Sequence, residues 1–231
     1  MAADTMGAGE QALRMAPPRS RLAVLAATRA ARGYVLRGDR AATERNYDHA
    51  RELLGTLDDD PDSPCPSRLN ETPIALSQAQ SWTFLGDYHR AVESFQNGIT
   101  ELPSSYRRGR GVYVARAALA LAGDREGEQE GEQAAILGRD ALAIGAHTRS
   151  GRILTDLARL DDALTPWNTV PTVADFRTAM KRGTPPARVP VPLAGSTTTK
   201  QFSCGGRWAG SKKIKSWRHE GPIWLLCATA G

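Results

Sequence analysis

An all-α chain, arranged as a solenoid of helical hairpins with a disordered C-terminal tail, is what the sequence predicts. Ala and Leu recur along a chain in which only 6% of residues are aromatic, a mix that favours helices over sheets. Apolar residues fall at helical spacing in one segment after another. Gly-Asp pairs at 38–39 and 86–87 stop one such segment and start the next.

The opening AGEQALRMAP reads as the end of a returning helix from an earlier hairpin, so the visible repeats begin inside a solenoid. Over 21–37, Leu22, Leu25, Ala26, Ala30 and Val35 lie close to one stripe, and over 41–54 Tyr47, Ala50 and Leu54 share a face. These two helices make the first hairpin. The segment 57–73, with DDDPDSPCPS inside it, is rich in Pro and Asp and is expected as a loop. The second hairpin follows: a helix over 74–85, a turn at Gly86-Asp87 with Asp87 as helix cap, and a return over 88–102 that Pro103 ends. A third is expected from helices over 111–121 and 133–144. RRGRG at 107–111 is then a loop before it, and DREGEQEGEQ, with its duplicated GEQ, an exposed insertion within it. Ile153, Leu157, Leu160 and Leu164 sit at i, i+4, i+7 and i+11, which predicts an amphipathic helix that closes the array. Pro166-Trp167 breaks it, Trp167 pins the end of the stack, and Val173, Phe176 and Met180 mark a short cap over 172–180.

Beyond 182 the character changes. Periodicity vanishes, and four of the five lysines appear there. From Gly183 onward seven basic residues face the single acid Glu220, so the tail carries +6 of the net +5, and residues 1–182 carry −1. The expected division is a helical repeat domain over 1–182 and a basic tail over 183–231. The body is electrically balanced, so the pI near 9.4 is no nucleic-acid footprint for it, and direct DNA binding by this chain is not expected. The tail string GRWAGSKKIKSWRH interleaves tryptophans with lysines, a combination that stacks bases on single strands; a solvated basic tail is the plainer reading.

Cys65, Cys204 and Cys227 are far apart, without metal-ligand spacing or an even disulfide framework, which points to a reduced, cytoplasmic setting. No apolar run approaches the roughly 18 to 20 residues of a membrane span. The four histidines lie far apart, and Asp58, Asp59 and Asp60 lack the alternating oxygens of a calcium loop. No Walker loop, dinucleotide fingerprint, nucleophile elbow or zinc-protease motif occurs. The expectation is a non-enzyme with no cofactor and no metal. An enzyme with a site assembled only in three dimensions is the remaining alternative.

Small residues recur where paired helices cross: Ala31, Gly38 and Ala50 in the first hairpin, Ala79, Gly86, Ala91 and Gly98 in the second, Ala118, Gly123, Ala134 and Ala141 in the third. Tyr34, Tyr47, Trp82, Tyr88 and Phe95 fill the space beside them. That is the tetratricopeptide pattern. With LRGDRAAT, LGDYHRAVESF, YRRGRGVYVARAALALA, GRDALAIG and SGRILTDLARLDDALTPWNTVPTVADF, about residues 8–182 resemble the tetratricopeptide-like region that follows a helix-turn-helix domain in many transcriptional regulators of GC-rich bacteria. The resemblance implies a sensing or protein-contact module within a transcriptional regulatory system. No helix-turn-helix precedes the repeats in this sequence, so DNA binding is not carried over. A truncated regulator whose DNA-binding domain is missing is the second reading.

In a hairpin solenoid the first helix of each hairpin lines the groove. This places Arg29, Arg32, Gln80, Thr83 and Arg116 as groove candidates, where arginines hold a carboxylate or phosphate of a peptide or protein partner. The alternative for the same residues is an ordinary solvated helix face. Self-association through an open solenoid end is also consistent with such a chain.

Overall fold

The structure, a computed structural model of the chain, describes residues 2–57, 69–124 and 128–183. The tail beyond Gly183, and most of the loop expected over 57–73, lie outside them. Every regular element among the described residues is a helix: α1 (Ala2–Met15), α2 (Arg21–Val35), α3 (Arg40–Gly55), α4 (Glu71–Phe84), α5 (Tyr88–Glu101), α6 (Arg107–Asp124), α7 (Glu128–Thr148), α8 (Gly151–Ala163), a single 3-10 turn (Thr165–Trp167), and α9 (Pro171–Gly183). All belong to one compact unit, Met1–Thr184.

Each helix packs on the next, from α1 on α2 to α7 on α8, wherever both lie in one described stretch or across the α3/α4 and α6/α7 joints. A second set of contacts joins alternate helices: α2 with α4, α4 with α6, α6 with α8, and α7 with α9. That pattern is a stack of hairpins. α2, α4, α6 and α8 form its inner row of first helices, and α1 takes the place of a returning helix ahead of them. Close approach is possible because the crossing residues are small. A side chain at Gly9 of α1 would put its Cβ 2.7 Å from the backbone nitrogen of Ala30 in α2.

Three clusters of buried side chains run along the stack. Val24, Ala27, Ala31, Tyr47, Ala50 and Ile74 fill the first. Leu76, Ala79, Trp82, Ala91, Phe95, Ala117 and Ala120 fill the second. The third lies between α6, α7, α8 and α9 and contains Leu142, Ile153, Leu157, Leu160, Leu164 and Phe176. Each large apolar group stabilises the fold by about 1.5–3 kcal/mol through burial. The joint between the first two hairpins is instead a hydrogen-bonded seam. The Tyr47 hydroxyl bonds the Ser77 carbonyl at 2.9 Å and Ser81 Oγ at 2.7 Å, and Trp82 Nε1 donates to Glu44 at 2.6 Å. Gln78 donates to Glu44 and accepts from Arg51. Burial pushes the Tyr47 phenol up, so it stays a neutral donor at ordinary pH.

At the turn 85–88, Gly86 takes φ +78°, as expected of a residue without a Cβ. The Tyr88 ring packs on Gly123 of α6, where an added Cβ would come within 2.3 Å of it. Asp87 does not cap α5 with its side chain. Two guanidinium groups take its carboxylate instead, Arg40 at 2.9 Å and Arg90 at 3.5 Å. Asp39, at the equivalent place, does cap α3, accepting from Ala42 N at 2.9 Å.

Three segments expected as loops or interruptions are helical. RRGRG forms the first turns of α6, because Tyr106 folds its ring over Gly109, where a Cβ would meet it at 1.8 Å. The second GEQ copy lies inside α7, with Gly131 beneath the Trp167 indole. Trp167 is thus buried against α7 rather than capping an open end. Helix α4 begins at Glu71, two residues before Pro73, which the first turn tolerates because its missing N–H needs no partner there. Finally, α8 is a fourth first helix, resting on α6 and α7, and α9 is held to it by Arg177, whose Nε donates to Asp161 at 2.8 Å.

Candidate functional site

Along the inner row, each helix buries one side and leaves a stripe at i, i+3 and i+4. On α6, Val112, Val114, Ala115, Ala117 and Ala118 are buried, and Tyr113, Arg116 and Leu119 remain. On α8, Ile153, Leu157 and Leu160 are buried in the core, Asp156 is buried beside Arg116, and Arg152 and Arg159 are exposed at helical spacing, with Ala163 half-buried. Arg29 and Arg32 on α2, and Gln80 and Thr83 on α4, repeat the three-residue spacing.

Three of the five expected groove residues come together in one pocket of about 300 Å³. Gln80, Thr83 and Arg116 line it, with Phe84, Asp156 and Arg159 beside them. Gln80 is only 9% exposed, and its amide forms no hydrogen bond with another described residue. Its polar atoms are not sealed off either, since no buried side-chain nitrogen or oxygen among the described residues lacks a partner. They open on the pocket. Thr83 Oγ1 donates back to Ala79 O at 3.1 Å, which fixes its rotamer.

Arg116 and Asp156 form the floor. Arg116 Nε lies 3.2 Å from Asp156 Oδ2, and the two side chains are 16% and 8% exposed. Burial pulls the Arg116 guanidinium down, and Asp156 opposes that shift. The cation also stands 5.9 Å from the centre of the Tyr113 ring. The arginine Arg159 reaches Asp156 from solvent at 3.8 Å.

Arg29 and Arg32 lie on α2, outside that pocket. Burial is the first cause lowering the Arg29 guanidinium, and the charge of Arg152 is the second. Arg32 is lowered by burial, then by Arg29, and it also feels Tyr113 and Arg152. The Tyr113 phenol is pushed up by burial, and Arg116, Arg32 and Arg152 all pull it back. The charges of Arg29, Arg32, Arg116 and Arg152 thus act on one another and on the Tyr113 phenol. Among the described residues, Arg32 and Arg152 have no carboxylate within ion-pair distance.

The structure thus brings Gln80, Thr83 and Arg116 together in one pocket, which neither Arg29 nor Arg32 lines. Asp156 lines it as well, and Tyr113 and Arg152 do not; the sequence reading left out all three. The signal for Arg152 and Asp156 was present as the polar half of the α8 pattern, opposite Ile153 and Leu157. For Tyr113 it was the i−3 spacing from Arg116. Among the described residues, no three His, Cys, Asp or Glu side chains gather as a metal site, and no helix is long and apolar enough to cross a membrane. No protein-family model, curated protein or solved structure matches this chain.

Proposed function

We propose that the chain is a non-catalytic binding module that holds a peptide or protein partner along the face of α2, α4, α6 and α8, as part of a transcriptional regulatory system. One observation carries this reading: the first helices α4, α6 and α8 line one pocket with Gln80, Thr83, Arg116, Asp156 and Arg159, and the buried Gln80 amide has no hydrogen-bond partner among the described residues. Such a face offers a row of side chains to an extended segment. The resemblance in the repeat motifs supports the regulatory setting. Mechanistically, a ligand that prefers one curvature shifts the population of the stack, and the hydrogen-bonded seam between α3 and α4 is where curvature changes at least cost in apolar burial.

Selection from a random peptide library on the full chain tests this, followed by titration of the enriched peptides by fluorescence polarisation. Thr83→Trp, which fills the pocket, should weaken them by about tenfold or more, since that is the effect of losing about 1.4 kcal/mol. Ile136→Ser, on the exposed side of α7, should leave them unchanged. Peptides that ignore Thr83→Trp, with the variant folded by circular dichroism, contradict the assigned face.

A further inference from the structure

We propose that the pocket floored by Arg116 and Asp156 takes one large apolar side chain of the peptide partner, an anchor residue whose main-chain N–H and C=O pair with the Gln80 amide. The inference rests on the binding module proposed above and names the class of residue its pocket selects.

The amide sets the first requirement. Gln80 is 9% exposed and lines the pocket, and its side chain forms no hydrogen bond with another described residue. A carboxamide donates at nitrogen and accepts at oxygen. An occupant that drives water from it without replacing both bonds leaves a desolvated polar group, which lowers affinity. A carboxylate offers acceptors alone, and an ammonium group donors alone. The backbone of a single residue, with one N–H and one C=O, supplies both.

Charge sets the second requirement. Arg116, Asp156 and Arg159 are the charged residues of the lining, and they already meet one another: Arg116 Nε lies 3.2 Å from Asp156 Oδ2, and Arg159 lies 3.8 Å from Asp156 Oδ1. Two guanidinium groups against one carboxylate leave a positive surplus, to which the charge of Arg32 adds by acting on Arg116 from outside the pocket. A lysine or arginine side chain is therefore repelled. The exposed Arg159 meets an acid in solvent rather than inside.

The remaining lining is apolar. Phe84, Tyr88, Leu119, Ala122 and Ala163 contribute it, and the exposed Phe84 ring gains by being covered. The volume of about 300 Å³ stands at the low end for sites that enclose a small molecule, a size for one residue rather than a run of them.

The probes are single blocked residues, titrated into the isotopically labelled full chain and followed by NMR on the Gln80 side-chain amide and the Leu119 methyl groups. N-acetyl-phenylalaninamide should bind saturably and shift both. N-acetyl-alaninamide, with the same main chain and no large side chain, and N-acetyl-lysinamide should each bind about tenfold more weakly or not at all. Gln80→Leu, read on Leu119, should weaken the phenylalanine probe by about tenfold, the scale of an unreplaced pair of hydrogen bonds. Phe84→Ala, at an exposed position, should weaken it by about threefold, and Ile136→Ser should change nothing. No saturable shift of Gln80 by the phenylalanine probe in a folded chain overturns the proposal. Tighter binding of N-acetyl-glutaminamide overturns it too, by giving the Gln80 pairing to a side-chain carboxamide, as does tighter binding of N-acetyl-phenylalanine as the free acid. Library peptides that are lost on Thr83→Trp, yet keep their affinity when each of their large apolar residues is exchanged for alanine, sink the anchor alone and leave the binding module standing.

Discussion

Phe95→Ala is expected to lower the unfolding free energy by about 3–5 kcal/mol, the range for a buried aromatic truncated in a core that cannot collapse. Phe95 is fully buried in α5, among Leu76, Ala79 and Trp82 of α4 and Ala117 and Ala120 of α6. Most of those neighbours are alanines. They have no side chain to swing into the void, so only a shift of whole helices would fill it. Such a shift would drag apart the α4 and α6 stripes that line the pocket. Phe84→Ala is the comparison, since Phe84 is 58% exposed, and it should cost no more than about 0.5 kcal/mol. Urea denaturation followed by circular dichroism reads both. Similar costs for the two would mean that α5 does not wedge between α4 and α6.

Asp156→Ala should destabilise by about 3 kcal/mol, because it leaves Arg116 buried without its counter-ion. Arg116 is only 16% exposed and has Arg32 as a charged neighbour, so the deletion adds repulsion to desolvation. The solvent-facing Arg159 offers Asp156 little, as its side chain is 62% exposed. Replacing the pair together, Arg116→Met with Asp156→Leu, should recover most of the loss, since apolar groups of similar volume satisfy the interior without charges. Thermal and urea unfolding of the three proteins checks this. If Asp156→Ala matches the wild type, the pair is solvated and the floor of the pocket is not as described.

Much of the fold was legible in the sequence because it is carried by local signals. Gly38 and Gly86 at positive φ, the Asp39 cap, and the apolar spacing of Ile153 to Leu164 each fix an element on their own. What was not legible depends on a distant partner. Gly109 and Gly131 look like breakers in isolation, but each is small to admit a ring, Tyr106 in one case and Trp167 in the other. Those rings turn an expected loop into helix at both places. Asp87 has the right position for a cap, and only Arg40, 47 residues earlier, diverts it.

The candidate site divides in the same way. Arg29, Arg32, Gln80, Thr83 and Arg116 follow from the rule that first helices line the groove. Arg152 and Asp156 were missed because α8 reads as a closing helix, and its role as a fourth first helix shows only in its packing on α6. The influence of the Arg152 charge on Arg29 and Arg32 links α8 with α2, which no spacing within one helix encodes.

The stack of hairpins depends on backbones meeting closely, and the exchange of Gly9 and of Gly7 for alanine tests it most directly. Both lie in α1, and both exchanges improve helix propensity by about 0.5–1 kcal/mol. An added Cβ at Gly7 has nothing within 4 Å, whereas at Gly9 it stands 2.7 and 2.8 Å from the backbone nitrogen and Cα of Ala30. Backbone atoms cannot swing aside, so overpacking of about 1–3 kcal/mol should outweigh the gain at Gly9. The measurement is hydrogen exchange of the α1 and α2 amides together with urea melting. Nested helices predict slower exchange for Gly7→Ala and faster exchange with a lowered midpoint for Gly9→Ala; equal protection in both variants would contradict the packing on which the binding face is built.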